Sequence, residues 1–195
     1  MRHLLPAFRA DRTVLIGIDG LGGSGKSTAA LELQQQIEGS VVLHLDDFIF
    51  PKAIRYQDGF EEWYCYYYLQ WRYDYLVEHV LAPLKQGLSV KQDIEFYNKV
   101  TDRYDVRELH IPARTPAVIV EGVFLQREEL RDFFNTIVFL EVDRETRTER
   151  VIKRDYYIGN SDEILKKYER RYFPAEEHYL KLHDPTASAD VVIRD

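Results

Sequence analysis

Gly20-Leu21-Gly22-Gly23-Ser24-Gly25-Lys26-Ser27 fits G-x-x-x-x-G-K-[ST], a spacing with which backbone N–H groups surround phosphate oxygens while a lysine neutralises them. Gly20, Gly22, Gly23 and Gly25 allow the close wrap, and Ser24 lies within it, so successive amides and a helix N-terminus face the anion. Lys26 is expected at the β and γ phosphates, and the Ser27 hydroxyl in the shell of a Mg²⁺ ion. The alternative is a glycine-rich turn without a ligand. Taken alone the loop leaves ATPases, nucleotide switches and small-molecule kinases open.

Two further acids stand where strands should end. Glu121 closes Val118-Ile119-Val120, from where a carboxylate could reach a Mg²⁺ shell directly or through water. Asp46 follows Val41-Val42-Leu43-His44-Leu45, and a carboxylate there could take the proton of an acceptor hydroxyl. Against these stand a solvated glutamate before a glycine turn and an aspartate turn that merely ends a strand. Strand alternation does not decide between Asp46 and Asp47.

These residues need elements to hold them. Thr13 to Ile18, Ala117 to Gly122, Thr136 to Val142 and Ala189 to Ile193 are short apolar, β-branched runs like that before Asp46, and they read as buried strands. Between them the periodicity predicts helices over Thr28 to Ile37, from a capping-box-like Asp58/Glu61 start to Gly87, around Arg127 to Phe134, and from Arg144 to Asp155. Residues 88–115 carry small alternating pieces, expected as strands off the main sheet. Strands alternating with helices give βαβ units: an α/β fold with a parallel sheet covered on both faces, ligands binding at the strand C-termini.

The chain has 195 residues, a length that suits one domain over 1–195, and no repeat or linker divides it. Its net charge of −7 supplies no protein-wide positive field for nucleic acid or an anionic membrane. One cysteine, Cys65, excludes an internal disulfide, and neither a long apolar run nor a signal-like start is present. The expectation is a soluble, cytoplasmic protein. The six histidines lack zinc-site spacing, and His178 and His183 read as surface residues.

The ordered set of phosphate loop, Asp46-Asp47-Phe48, Tyr97 to Arg103, Val118 to Gly122, Arg150 to Asp155, and Tyr168 through Ala189 to Ile193 resembles the uridine kinase/phosphoribulokinase group of P-loop kinases over nearly the whole chain. That resemblance implies a P-loop NTPase fold with a five-stranded parallel sheet. It also implies Mg²⁺-dependent transfer of the γ-phosphoryl group of a nucleotide to a hydroxyl of a small molecule; ATP is the expected donor, and the sequence does not decide whether GTP replaces it. By it Asp46 is the general base, Tyr97 and Arg103 are acceptor-binding positions, and Arg150 and Arg154 are arginines of a lid over about 150–165. The chain departs from the group at Ile49, usually tyrosine there, and in a Tyr97–Arg103 stretch one residue shorter. It departs again at Tyr156-Tyr157-Ile158-Gly159-Asn160, where further arginines are usual. The resemblance makes a nucleoside such as uridine or cytidine the expected acceptor, and the departures keep pantothenate, a phosphorylated sugar or nicotinamide riboside as alternatives. A nucleotide-regulated binding protein or slow ATPase is the different class.

Phe60, Tyr64, Tyr67, Tyr68, Trp71 and Tyr75 recur at helical spacing and are expected to pack on the sheet or on another subunit rather than on a base. Trp63 and Tyr66 lie off that stripe, and aromatic residues on two sides leave a homo-oligomer open.

Overall fold

Residues 12–195 are described by the structure, a computed structural model, so the first eleven residues of the domain expected over 1–195 lie outside it. The strands are β1 (Val14–Gly20), β2 (Val41–His44), β3 (Val90–Asn98), β4 (Arg103–Ile111), β5 (Ala117–Gly122), β6 (Thr136–Glu141) and β7 (Val191–Arg194). Five form a parallel sheet in the order β2-β5-β1-β6-β7, and β3 and β4 form a separate antiparallel hairpin, as the alternating pieces of 88–115 predict.

Every residue of β1 and β5 is buried, because helices cover both faces of the sheet. The period of two divides β1: Ile16 and Ile18 face α1 (Lys26–Gln36) through Ala30 and Leu33, whereas Leu15 joins the larger core on the other face. That larger core includes Val80, Leu81 and Leu84, the hairpin's Ile94 and Ile111, and Tyr179 of α8 (Phe173–His183).

Three expectations are corrected. The segment from Asp58 to Gly87 is not one helix. After the short α2 (Lys52–Arg55), α3 (Glu62–Tyr64) runs into a wide turn at Cys65–Leu69 and stops; α4 (Tyr73–Leu76), a second wide turn at Val77–Leu81 and α5 (Ala82–Lys85) follow. The break has an identifiable cause: Phe50 N–H donates to the Gln70 carbonyl at 2.8 Å and Arg72 N–H to the Phe48 carbonyl at 2.9 Å, so Trp71 pairs with Ile49 in a single antiparallel bridge. Second, Glu61 immediately precedes α3 and no side chain caps that helix, so the Asp58/Glu61 capping box does not form. Third, around Arg127 to Phe134 only one 3₁₀ turn forms, Arg131–Phe133. The charged helix α6 (Arg144–Arg154) starts where Asp143 accepts Thr146 N–H at 2.8 Å, and α7 (Ser161–Lys167) opens with a capping box of Asn160 and Glu163. A wide turn at Tyr168–Tyr172 carries α7 into α8, and α9 (Pro185–Ser188) precedes β7.

The end of β5 sets the spacing between the two acids. At Gly122 an added Cβ would lie 2.5 Å from Leu45 Cβ and 2.8 Å from its Cδ2, so only glycine lets the Leu45–Asp47 turn settle against the strand that carries Glu121. Gly122→Ala should lower stability by about 1–3 kcal/mol through overpacking and should slow turnover with it. A thermal midpoint equal to that of the parent chain would show that the turn yields freely.

Candidate active site

β1 leads into the phosphate loop and α1, the strand–loop–helix context the motif requires. Gly23 has φ +83°, and a Cβ there would meet the Arg147 carbonyl at 2.8 Å, so the loop presses on α6. Two buried carboxylates hold the loop from behind. Asp19 accepts Gly20 N–H at 2.8 Å, and Glu176 accepts Gly22 N–H at 2.8 Å while pairing with Arg147 at 2.9 Å. Arg147 also donates to the Gly22 carbonyl at 3.0 Å.

Asp19 is fully buried, and burial pushes its carboxyl up against the pull of the Tyr179 hydroxyl at 2.5 Å and the Gln126 amide at 3.1 Å. Tyr179→Phe removes a donor to a buried carboxylate and should cost about 1–3 kcal/mol, read by thermal or denaturant unfolding. An unchanged midpoint would mean that Asp19 is held adequately by Gln126 and Gly20.

Beside the loop lies a cavity of about 180 Å³ lined by Lys26, Ser27, Asp46, Glu121, Arg154 and Glu176 together with Tyr66, Gln70, Asp155, Tyr157, Tyr168 and Tyr172. Lys26 Nζ donates to the Leu21 carbonyl at 3.0 Å, and Ser27 Oγ donates to Glu121 Oε1 at 3.1 Å. The same Glu121 oxygen is 2.7 Å from His44 Nδ1. Burial works to raise the Glu121 carboxyl, but the His44 hydrogen bond and the Lys26 charge outweigh it and hold the group below the usual carboxylate range. The His44 hydrogen bond to Glu121 in turn raises the imidazole.

Asp46 opens onto the cavity from the turn after β2. The side chain is exposed toward the cavity, and the groups that crowd it desolvate its carboxyl and push it up; the charge of Glu121 adds to the effect, and Lys26 and Arg154 only partly oppose it. Between the two candidates, Asp46 rather than Asp47 lines the cavity.

The remaining sequence candidates divide. Arg154 reaches the cavity, held by Asp155 at 2.7 and 3.0 Å and by the Tyr168 hydroxyl at 3.2 Å. Arg150 is half-exposed on α6, one helical turn before Arg154, and pairs with Asp195 at the chain's C-terminal end, outside that cavity. Tyr97 is buried in the hairpin, its hydroxyl donating to Asp102 Oδ1 at 2.7 Å and accepting from Arg55 at 2.5 Å, and Arg103 is exposed at the start of β4; neither lines the cavity. Of the aromatic stripe, Tyr67 and Trp71 are core, while Phe60 and Tyr68 keep 50% and 41% exposure. His178 and His183 are not simple surface residues: they bond the Tyr68 and Tyr67 hydroxyls at 2.7 and 2.9 Å. Sequence reasoning did not find Arg147, Arg171 and Glu176, which sit beside other charged residues, or Gln70, which lies within the aromatic run of 63–75 that reads as a packing face.

A parallel sheet with a phosphate-binding loop, a lysine, a serine–carboxylate pair and a second carboxylate on one rim defines a P-loop phosphotransferase. The Phosphoribulokinase / Uridine kinase family matches residues 15–195, and the chain belongs to that family. A uridine kinase of Staphylococcus aureus is 30% identical over 188 residues, 93% of this chain and 87% of the relative. The fold is similar to that of a possible uridine kinase from Bacillus stearothermophilus, with 34% identity and a TM-score of 0.77 over 96% of this chain and 91% of that one. D-glycerate 3-kinase from Cryptococcus neoformans shares the fold at 12% identity and a TM-score of 0.63, over 94% of this chain and 86% of that one. Among the described residues no helix is long and apolar enough to cross a membrane.

Proposed function

We propose that the chain is an ATP- and Mg²⁺-dependent kinase transferring the γ-phosphoryl group to a hydroxyl of a nucleoside such as uridine or cytidine. The observation that carries this reading is the convergence of Lys26, Ser27, Asp46, Glu121 and Arg154 on one cavity. The loop amides and Lys26 hold the phosphates. Asp46 takes the proton of the attacking hydroxyl, and Arg154 faces the charge that spreads over the transferring group.

A hard cation suits the Ser27 hydroxyl and the ionised Glu121, which already meet at 3.1 Å. Among the described residues no cluster of three ligating side chains forms, so phosphate oxygens and water would complete the shell. Once bound, Mg²⁺ would neutralise charge across the phosphates. The base and ribose of ATP are assigned to the larger cavity of about 560 Å³ beside Leu21, between Val142, Asp143 and Arg147 after β6 and Arg194 and Asp195 at the end of β7. Residues 150–165, which bring Arg154, Asp155 and Tyr157 to the cavity, serve as the lid, with Arg150 on its outer side. The uridine kinases among the relatives support the nucleoside acceptor, and the free, buried Cys65 suits a reducing cytoplasm.

ADP release with ATP and Mg²⁺, measured against nucleosides, pantothenate, ribulose 5-phosphate and nicotinamide riboside with Lys26→Ala as blank, tests the proposal. Lys26-dependent stimulation by uridine or cytidine is expected. Stimulation only by another compound would replace the acceptor, and slow release indifferent to all of them would point to a nucleotide-regulated binding protein.

A further inference from the structure

Arg171 is fully buried, yet among the described residues it forms no ion pair with any carboxylate. Its guanidinium lies over the Tyr56 ring at 4.0 Å and the Tyr66 ring at 5.3 Å, donates to the Glu62 and Arg55 carbonyls at 3.2 and 3.3 Å, and leaves Nε unpartnered. Its shortest bond, 2.7 Å, goes to Oε1 of Gln70. A guanidinium has only donors, so the Gln70 atom facing it must be the oxygen. The side-chain NH₂ of Gln70 is therefore turned away from Arg171, and among the described residues it has no hydrogen-bond partner. Gln70 lines the same cavity as Lys26, Ser27, Tyr66 and Tyr172.

Of the other arginines around this side only Arg154 lines the cavity, paired with Asp155, whereas Arg55, bonded to Tyr97, and Arg72, paired with Glu95 at 2.7 Å, do not line it. The cavity itself carries Asp46, Glu121, Asp155 and Glu176. The two cations that line it, Lys26 and Arg154, are taken in this reading by the nucleotide phosphates and the transferring group, so an acceptor bearing its own phosphate or carboxylate would meet these acids with no cation left for it. Gln70 instead offers a neutral donor whose direction is locked.

We infer that Gln70 is a specificity-determining residue whose NH₂ donates to an uncharged oxygen, carbonyl or hydroxyl, of a neutral alcohol acceptor, and that Arg171 is the positioning residue that prevents the amide from flipping. This rests on the reading that the cavity takes the acceptor of a phosphoryl transfer. A site built around one donor rejects ligands that cannot accept from it, because the donor is then left unpaired. The wide turns at Cys65–Leu69 and Tyr168–Tyr172, which bring Tyr66 and Arg171 beside Gln70, are the kind of helix irregularity that recurs at functional sites.

Gln70→Glu separates this role from a structural one, since the new carboxylate still bonds Arg171 while presenting oxygen to the cavity. With uridine and cytidine the acceptor KM should rise on the order of 10²-fold or more, while the KM for ATP and the thermal midpoint stay at parent values. Arg171→Lys, which keeps a donor for Oε1, should retain most acceptor affinity, and Arg171→Met should lose it without changing the KM for ATP. Acceptor KM values unmoved by Gln70→Glu would overturn the inference, as would efficient turnover of pantothenate or ribulose 5-phosphate. Turnover of a neutral alcohol other than a nucleoside, with the same Gln70→Glu penalty, would discard the nucleoside reading and leave this one standing. A readout that needs no turnover is solvent exchange of the Gln70 side-chain amide, assigned in nuclear magnetic resonance spectra by its loss in Gln70→Glu. Rapid exchange is expected of an amide open to the cavity, and strong protection would overturn the inference.

Discussion

Lys26→Ala should lower acceptor-dependent ADP release on the order of 10³-fold, the scale of losing a principal electrostatic contact to the transferring phosphoryl group. The structural reason is the lysine's position. Burial lowers the ammonium's affinity for its proton, and the charges of Glu121, Asp19, Asp46 and Glu176 oppose that shift. Without it the polyphosphate faces these carboxylates uncompensated, so nucleotide affinity should fall along with turnover. Lys26→Arg keeps the charge but not the compact reach, and only part of the rate should return. Circular dichroism and the thermal midpoint check that the fold persists. Turnover in Lys26→Ala within tenfold of the parent would remove the lysine from the site.

Asp46→Asn should reduce turnover by about 10²-fold or more, in the range of general-base contributions, while nucleotide binding measured by titration stays close to that of the parent. The pH profile tells a base from a merely polar neighbour. Only the deprotonated carboxylate can accept the hydroxyl proton, so activity must rise with pH through the Asp46 titration. Because desolvation and Glu121 push this carboxyl up, the acid limb should lie above the 3.8 of an ordinary aspartate. In Asp46→Asn that limb should vanish from the residual rate. A limb that persists unchanged in the variant would assign the proton transfer to another group.

The five strands of the main sheet and the hairpin were legible because each is a local apolar or alternating run whose pattern survives any tertiary context. The phosphate loop was legible for a similar reason: its function needs a fixed local spacing of glycines, lysine and serine. The region after Asp58 was not, because its helix is broken by backbone bonds from Phe48 and Phe50, partners about twenty residues away that leave no local trace at Gln70 to Arg72.

The sequence by itself determined the parallel α/β class, the phosphate loop and the pair of strand-end acids, since strand propensity and loop geometry depend on near neighbours. Tertiary structure alone decided that Asp46 rather than Asp47 opens onto the cavity, that Arg154 reaches it while Arg150 turns to Asp195, and that Arg171 is buried against Gln70. Those outcomes depend on contacts between residues as far apart as 70 and 171. A charged residue in a charged helix carries no sign in its own neighbourhood of which other element will cover it.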